Sequence, residues 1–404
     1  MKKIISLIIV VMMLASVALI SASCGNKTSD GFTAVAKKDL KVGIITLHDT
    51  SSTYDKNFID AIYRAAANLG LSEDQILLVT GIDETSACYD TAKSLVNQGC
   101  QVVFADSFGH EDFMIQAAEE FKNVQFAHAT GTKAHTAGLD NFANAFASIY
   151  EGRYLAGITA GMKLNEMIAN GEITADEAVM GYVGAFTYAE VKSGYTSFYL
   201  GAKSVCPTVT MKVKFTGSWY DPDKEYSAAN ALIADGCVLI SQHADSYGAP
   251  SACEENGVPN VSYNGSTEAQ GPNTYLIASK IDWTPYFEYM INSRIEGKTL
   301  EKDWTGDIST GSVKVEPLSK NAAAGTQAKI DEAIAAFKAG TLHVFDTSTF
   351  TVGGETLTSY KADVDSDANY TPDTEVVSDG YFHESEYRSA PYFDVDIDGI
   401  TFVD

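Results

Sequence analysis

Two stretches of the sequence carry side chains with chemistry to offer. Gln242-His243-Ala244-Asp245-Ser246-Tyr247-Gly248-Ala249-Pro250 follows the apolar run Val238-Leu239-Ile240, and Phe104-Ala105-Asp106-Ser107-Phe108-Gly109-His110 has the same plan upstream. Each sets a carboxylate, a hydroxyl, an aromatic ring and an imidazole at the end of an apolar strand. Open α/β sheets place ligand contacts at the carboxyl ends of their strands. Carboxylates and hydroxyls there can hydrogen-bond a small polar molecule and fix its orientation. The two Asp-Ser segments are therefore expected to face each other across one cleft that the rest of the chain builds.

Other chemistries leave no matching pattern. Gly-x-Ser-x-Gly and Gly-x-x-x-x-Gly-Lys-Ser/Thr are absent, and no GxGxxG follows the first strand, where Gly43 is alone and a dinucleotide loop needs three glycines. Scattered Asp, His and Ser do not make a triad. The chain is read as no enzyme, with no catalytic residue and no cofactor. His48, His110, His128 and His243 fall at strand ends, but no pair has HxH or HxxxH spacing and no CxxC occurs, so no metal site is expected. Cys24 apart, five cysteines remain: Cys88, Cys100, Cys206, Cys237 and Cys253. An odd number leaves at least one unpaired within the chain. A Cys206–Cys237 or Cys237–Cys253 disulfide stays open, as does burial of all five as small apolar residues.

The elements that must position these residues alternate. Apolar runs at 41–47, 76–79, 102–105 and 124–127 read as buried strands. Between them, helical spacing covers 58–69, 85–97 and 111–121, with Gly70 and Gly99 as stops. A polar bridge at 128–141 leads into a long helical pattern over 143–169. The alternation then resumes with strands at 179–183, 209–215, 238–240, 258–263 and 274–278, and helices at 191–202, 224–234, 283–295 and 327–339. Strand–helix alternation with uniformly apolar strands means parallel sheets covered on both faces. Two such runs predict two αβ lobes joined by a hinge of several crossings.

With 404 residues, 45% hydrophobic and 20% charged, the chain is globular and large enough for two or three domains. Its net charge of −25 argues against nucleic acid or anionic lipid as a partner. At the amino terminus Met1-Lys2-Lys3, an apolar run to Ile20 and Ser21-Ala22-Ser23-Cys24 resemble a bacterial lipoprotein signal, with Ser21 where Leu is usual. That resemblance implies a signal peptide over 1–23, lipid on Cys24 and a flexible tether over 24–39. An ordinary signal peptide or an uncleaved anchor would equally place the protein outside the cytoplasmic membrane.

An ordered set of motifs carries a second resemblance. Tyr54-Asp55-Lys56-Asn57-Phe58, Asp106-Ser107-Phe108, Gly181-Tyr182-Val183-Gly184-Ala185-Phe186, Ser218-Trp219-Tyr220-Asp221-Pro222, Gln242-His243-Ala244-Asp245-Ser246, Tyr263-Asn264-Gly265-Ser266 and Lys280-Ile281-Asp282-Trp283 follow one another over about residues 40–315. In that order they resemble the Bmp family, the basic-membrane-lipoprotein or PnrA-like substrate-binding proteins of ABC transporters. The resemblance implies an α/β, type I periplasmic-binding-protein-like fold of two parallel-sheet lobes. It further implies a nucleoside ligand, purine favoured, an ABC permease as partner, and a monomer. Two positions depart from the family pattern, with Ile59 where Asn is usual and Asn264 where Asp meets the ribose. A sugar or autoinducer receptor of the same fold, or the sensing subunit of a signalling system, are the rival readings.

Under this resemblance the ligand-binding residues are Tyr54, Phe58, Asp106, Phe186, Trp219, Asp245, Asn264, Lys280, His48 and Asp49. Phe58 and Phe186 form a stacking pair from opposite lobes, and Tyr54 and Trp219 cover the mouth. Asp106 and Asp245 read base N–H or ribose O–H groups, Asn264 meets the ribose, and Lys280 ties bound oxygens. His48 and Asp49 line the entrance. Each has a plainer structural alternative: core packing for the two Phe, helix caps for the two Asp, a turn for Asn264, a surface position for Lys280. The expected division is 40–140 with 265–280 as lobe 1, 141–264 with 281–320 as lobe 2, and 321–404 as an extension packed on one lobe.

Overall fold

The computed structural model describes residues 31–364 and 374–403. The signal segment 1–23, Cys24 and the start of the tether lie outside the described residues. The first lobe opens with β1 (Val42–Ile45), α1 (Thr53–Leu69), β2 (Ile76–Val79), α2 (Ser86–Asn97), β3 (Val102–Ala105), α3 (Glu111–Glu120), β4 (Gln125–Ala129) and β5 (Phe142–Ala147). The second holds α4 (Ile149–Ala169), β6 (Val179–Gly184), α5 (Ala189–Val205), β7 (Thr210–Phe215), α6 (Pro222–Ala234), β8 (Leu239–His243), α7 (Gly248–Asn256), β9 (Asn260–Tyr263) and β10 (Tyr275–Ile281). The chain then returns to the first lobe for α8 (Thr284–Glu296) and β11 (Asp303–Gly306), and crosses again to β12 (Val313–Val315) and α9 (Thr326–Lys338). Short pairs β13 (Lys361–Ala362) with β14 (Thr374–Glu375), and β15 (Val377–Ser378) with β16 (Tyr381–Phe382), precede β17 (Ile400–Phe402).

The first sheet runs β11-β5-β4-β3-β1-β2, every neighbour parallel. The second runs β12-β10-β9-β8-β6-β7-β17, with β12 alone antiparallel. Helices on both faces leave β1 and β3 wholly buried, which is why they are apolar throughout rather than alternating. Three crossings join the lobes, at Ser148, at Asp282 and across 307–312.

Several expectations need correction here. Residues 143–147, expected to begin the long helix, belong instead to strand β5, because small apolar residues without alternation suit a buried strand as well as a helix. Lobe membership is exchanged for two segments. Residues 275–281 stay in the second sheet, held in parallel register on β9, whereas 284–306 belong to the first. There the buried side chains of α8 pack on the core around Phe104, with the Phe287 ring 5.1 Å from it. Within the expected tether, the described residues from Gly31 pack on the first lobe. Gly31 bridges to Lys298, Val35 N donates to Ile295 O at 3.2 Å, and Arg294 Nη1 donates to Thr33 O at 2.6 Å. The extension adds β17 to the second sheet, but it also reaches the first through Ser389 N to Asp303 Oδ1 at 2.8 Å. All five described cysteines are buried free thiols.

Candidate functional site

Four strand ends converge between the lobes. After β1 the chain turns through Thr46–Ser52 into α1, whose N-cap Ser52 accepts from Asp55 N. After β3 comes Asp106-Ser107, after β8 Ala244-Asp245-Ser246, and after β9 Asn264. Each Asp-Ser loop is pinned by a glutamate from a neighbouring segment. Glu84 accepts from Ser107 Oγ at 2.6 Å and from Gly109 N at 2.7 Å. Buried Glu225 accepts from Ser246 N at 3.1 Å and from Asp221 N at 3.1 Å.

Between them lies a cleft that the closed lobes leave with about 20 Å³ of free space. The first lobe lines it with Leu47, His48, Tyr54, Asp55, Ser107, Phe108 and Thr130, and the second with Glu190, Trp219, His243, Asp245 and Tyr263. The lobes are closed on it. Thr53 N donates to Asp245 O at 3.0 Å, the His48 and Tyr220 rings are 5.2 Å apart, and Phe108 stacks on Tyr188 at 5.4 Å across the mouth.

Of the ten expected residues, four line this cleft: His48, Tyr54, Trp219 and Asp245. Asp106 and Asn264 lie one bond behind its wall. Leu47 N donates to Asp106 Oδ1 at 3.1 Å and Tyr54 Oη to Asp106 O at 2.7 Å, while Asn264 Nδ2 donates to Asp245 Oδ1 at 3.3 Å. Phe186 backs the wall, its ring 5.0 Å from Trp219. Three fall away from the cleft. Phe58 is 0% exposed and stacked on Trp283 at 4.3 Å, so its face is already covered by protein and it does not pair with Phe186 across the cleft. Asp49 is exposed and accepts from Ser51 N. Lys280 pairs with Glu316 where β10 meets β12, a contact that takes its ammonium elsewhere.

Burial dominates the electrostatics. It pushes the carboxyls of Asp106 and Asp245 well above the usual range, and the nearby Asp55 charge adds to both. Burial also opposes ionisation of Asp55, but hydrogen bonds from His48 and Ser52 outweigh it and hold that carboxyl low. The His243 ring, buried and beside Glu190, is held below its ordinary value by burial. At neutral pH Asp55 is thus ionised, the Asp245 carboxyl and Asp106 behind it stay protonated and can both donate and accept, and the His243 imidazole is uncharged. No Lys or Arg lines it.

Sequence reasoning missed Asp55, Ser107, Phe108, Thr130, Glu190, His243 and Tyr263. All but Thr130 and Glu190 sat inside quoted motifs, next to residues that were chosen. Thr130 has φ 64°, a conformation costly for a β-branched residue and invisible in a single sequence. Arg153 on α4 was also missed. Wholly buried, it donates to Ser241 Oγ at 2.7 Å and to Tyr182 Oη at 3.2 Å, and its guanidinium lies over the Tyr263 ring that faces the cleft.

The family model described as ABC transporter substrate-binding protein, PnrA-like, matches residues 8–339. A purine-binding protein of Brucella abortus is 30% identical over 318 residues, spanning 78% of this chain and 85% of its own. Among solved structures, an ABC transporter solute-binding protein from Conexibacter woesei superposes with TM-score 0.61 at 19% identity, covering 75% of this chain and 98% of its own. One from Aeropyrum pernix does so with TM-score 0.64 at 14% identity, covering 76% and 93%. These two share the type I periplasmic-binding-protein-like fold.

Proposed function

Because the chain belongs to the PnrA-like family of ABC transporter substrate-binding proteins, we propose that its cleft captures an uncharged nucleoside, a purine one first. It hands this solute to an ABC permease outside the cytoplasmic membrane, where lipid on Cys24 holds it. The family's work is solute capture, with no bond made or broken. The observation that carries the ligand assignment is the lining itself: aromatic rings of Tyr54, Phe108, Trp219 and Tyr263 beside acidic Asp55, Glu190 and Asp245, without a Lys or Arg. A flat heterocycle needs the rings, and its N–H and O–H groups need the acids. A phosphate would meet carboxyls with nothing to neutralise it, so nucleotides are excluded.

In this reading Trp219 and Tyr54 cover the ring and Asp245 reads its polar edge. Asp106 and Asn264 hold Tyr54 and Asp245 in place. Asn57 Nδ2 to Asn264 Oδ1 at 3.5 Å and Thr53 N to Asp245 O tie the closed lobes together, so a ligand touching both walls shifts the population toward closure. The test is calorimetric titration with guanosine, adenosine, guanosine monophosphate and glucose. The reading predicts saturable nucleoside binding and none of the monophosphate. Binding of glucose alone would transfer the cleft to sugars.

A further inference from the structure

We propose that the groove between the hinge and the carboxyl-terminal extension is a second ligand site, for a small organic ammonium ion. The groove is a cavity of about 380 Å³ on the side chains of Ser148, Glu151, Thr305 and Asp307 from the hinge region, walled opposite by Phe345, Tyr381 and Glu386. Its far wall comes from residues beyond the 8–339 that match the family, so it is separate from the interlobe cleft in position and in sequence.

Two independent features give the site its chemistry. The first is charge and ring content. Glu151, Asp307 and Glu386 line it without a single Lys or Arg, beside a three-ring stack in which Tyr381 lies 3.8 Å from His343 and 3.9 Å from His383. Each carboxylate has one oxygen committed to the protein: Glu151 to Ile308 N at 2.8 Å, Asp307 to Thr310 N at 2.6 Å, and Glu386 to the His383 ring. The stack covers both faces of Tyr381, so the pull on an ammonium group comes from the carboxylates, and an anion would find no cation there. Burial, with the Asp307 charge after it, pushes Glu151 up to about 7, and a bound cation offsets both.

The second feature is Ser385. It lines the groove, is 4% exposed, adopts φ 58°, and its Oγ has no partner in the protein. Buried hydroxyls are normally hydrogen-bonded, and non-glycine residues held in this conformation gather at ligand sites. A hydroxyl-bearing ammonium satisfies both features. Because Ser148 and Asp307 sit at two of the three crossings between lobes, such a ligand touches the hinge.

The experiment titrates the whole mature chain with choline and with its uncharged carbon isostere, 3,3-dimethylbutan-1-ol. One saturable choline site is expected, with the isostere at least about tenfold weaker. Glu151→Gln and Asp307→Asn should each weaken choline at least about tenfold, read only in a variant whose unfolding temperature matches the parent. No choline binding at millimolar concentration overturns the proposal. So does an isostere that binds equally, or choline affinity untouched in both folded variants, which would put the cation elsewhere.

Discussion

Asp245 N donates to Trp219 O at 3.0 Å, so a ring and a carboxyl enter the cleft as one unit. Replacing Trp219 by Ala removes only the ring, and base stacking of this kind is worth about 1–3 kcal/mol. Calorimetry on Trp219→Ala should show nucleoside affinity falling roughly 5- to 150-fold with little change in unfolding temperature. Phe58→Ala should do the reverse. It opens a hole beneath Trp283 and costs about 3–5 kcal/mol of stability in a denaturant titration, with any affinity loss secondary. Both rings stand in motifs of the same kind, and one sequence does not separate a ring that faces the cleft from one that faces the core. The difference lies in α8, which returns to the first lobe and sets Trp283 against Phe58. Arg153 was illegible for another reason: its partners Tyr182, Ser241, Ser262 and Ser279 come from four different strands.

Among the elements, the pair α4 and α5 sets how the second lobe packs. A Cβ on Gly157 would lie 2.0 Å from Phe198 O, and one on Gly201 2.1 Å from Tyr154 O, so these helices touch backbone to backbone. Gly157→Val must push them apart, at a cost of roughly 1–3 kcal/mol or more from overpacking. A lower urea midpoint with nucleoside affinity kept, once folded, is the expected outcome, and an unchanged midpoint would refute close packing at that position. Arg153 holds the same lobe across four strands of its sheet. Arg153→Met takes the donor from Tyr182 Oη and Ser279 Oγ and should cost about 1–3 kcal/mol by the same measurement. Strand–helix alternation was legible wherever an apolar run ended at a glycine or a polar loop. It failed at β5, whose Phe142-Ala143-Asn144-Ala145-Phe146-Ala147 carries no turn before α4, and at β11, whose Trp304 and Thr305 sit at a sheet edge with no apolar run.

For the molecule as a whole, buried acids set the response to pH. Burial raises Glu151 and Glu225 to about 7 and Glu384 to about 8, from an ordinary 4.5. From 4.5 upward the unfolded chain gives up protons that the folded chain keeps, so unfolding gains as pH rises. The stability these groups contribute is complete below 4.5 and lost as pH climbs through 7 to 8. Unfolding temperature should therefore fall over that window, and Glu384→Gln, which cannot ionise, should flatten the fall. A profile that rises through the window would contradict the assignment of these acids. Two lobes, their parallel sheets and the cleft between them were legible in the alternation. Which lobe each late segment joins was not, because crossing or staying depends on register with β9 and on the buried face of α8. The measurement closest to the central claim is a crystal structure of the protein grown with guanosine. The account predicts a base against Trp219, with its polar edge on Asp245 and both lobes in contact with one molecule. Guanosine bound outside the cleft, or a cleft filled by a different solute while guanosine is in excess, would contradict it.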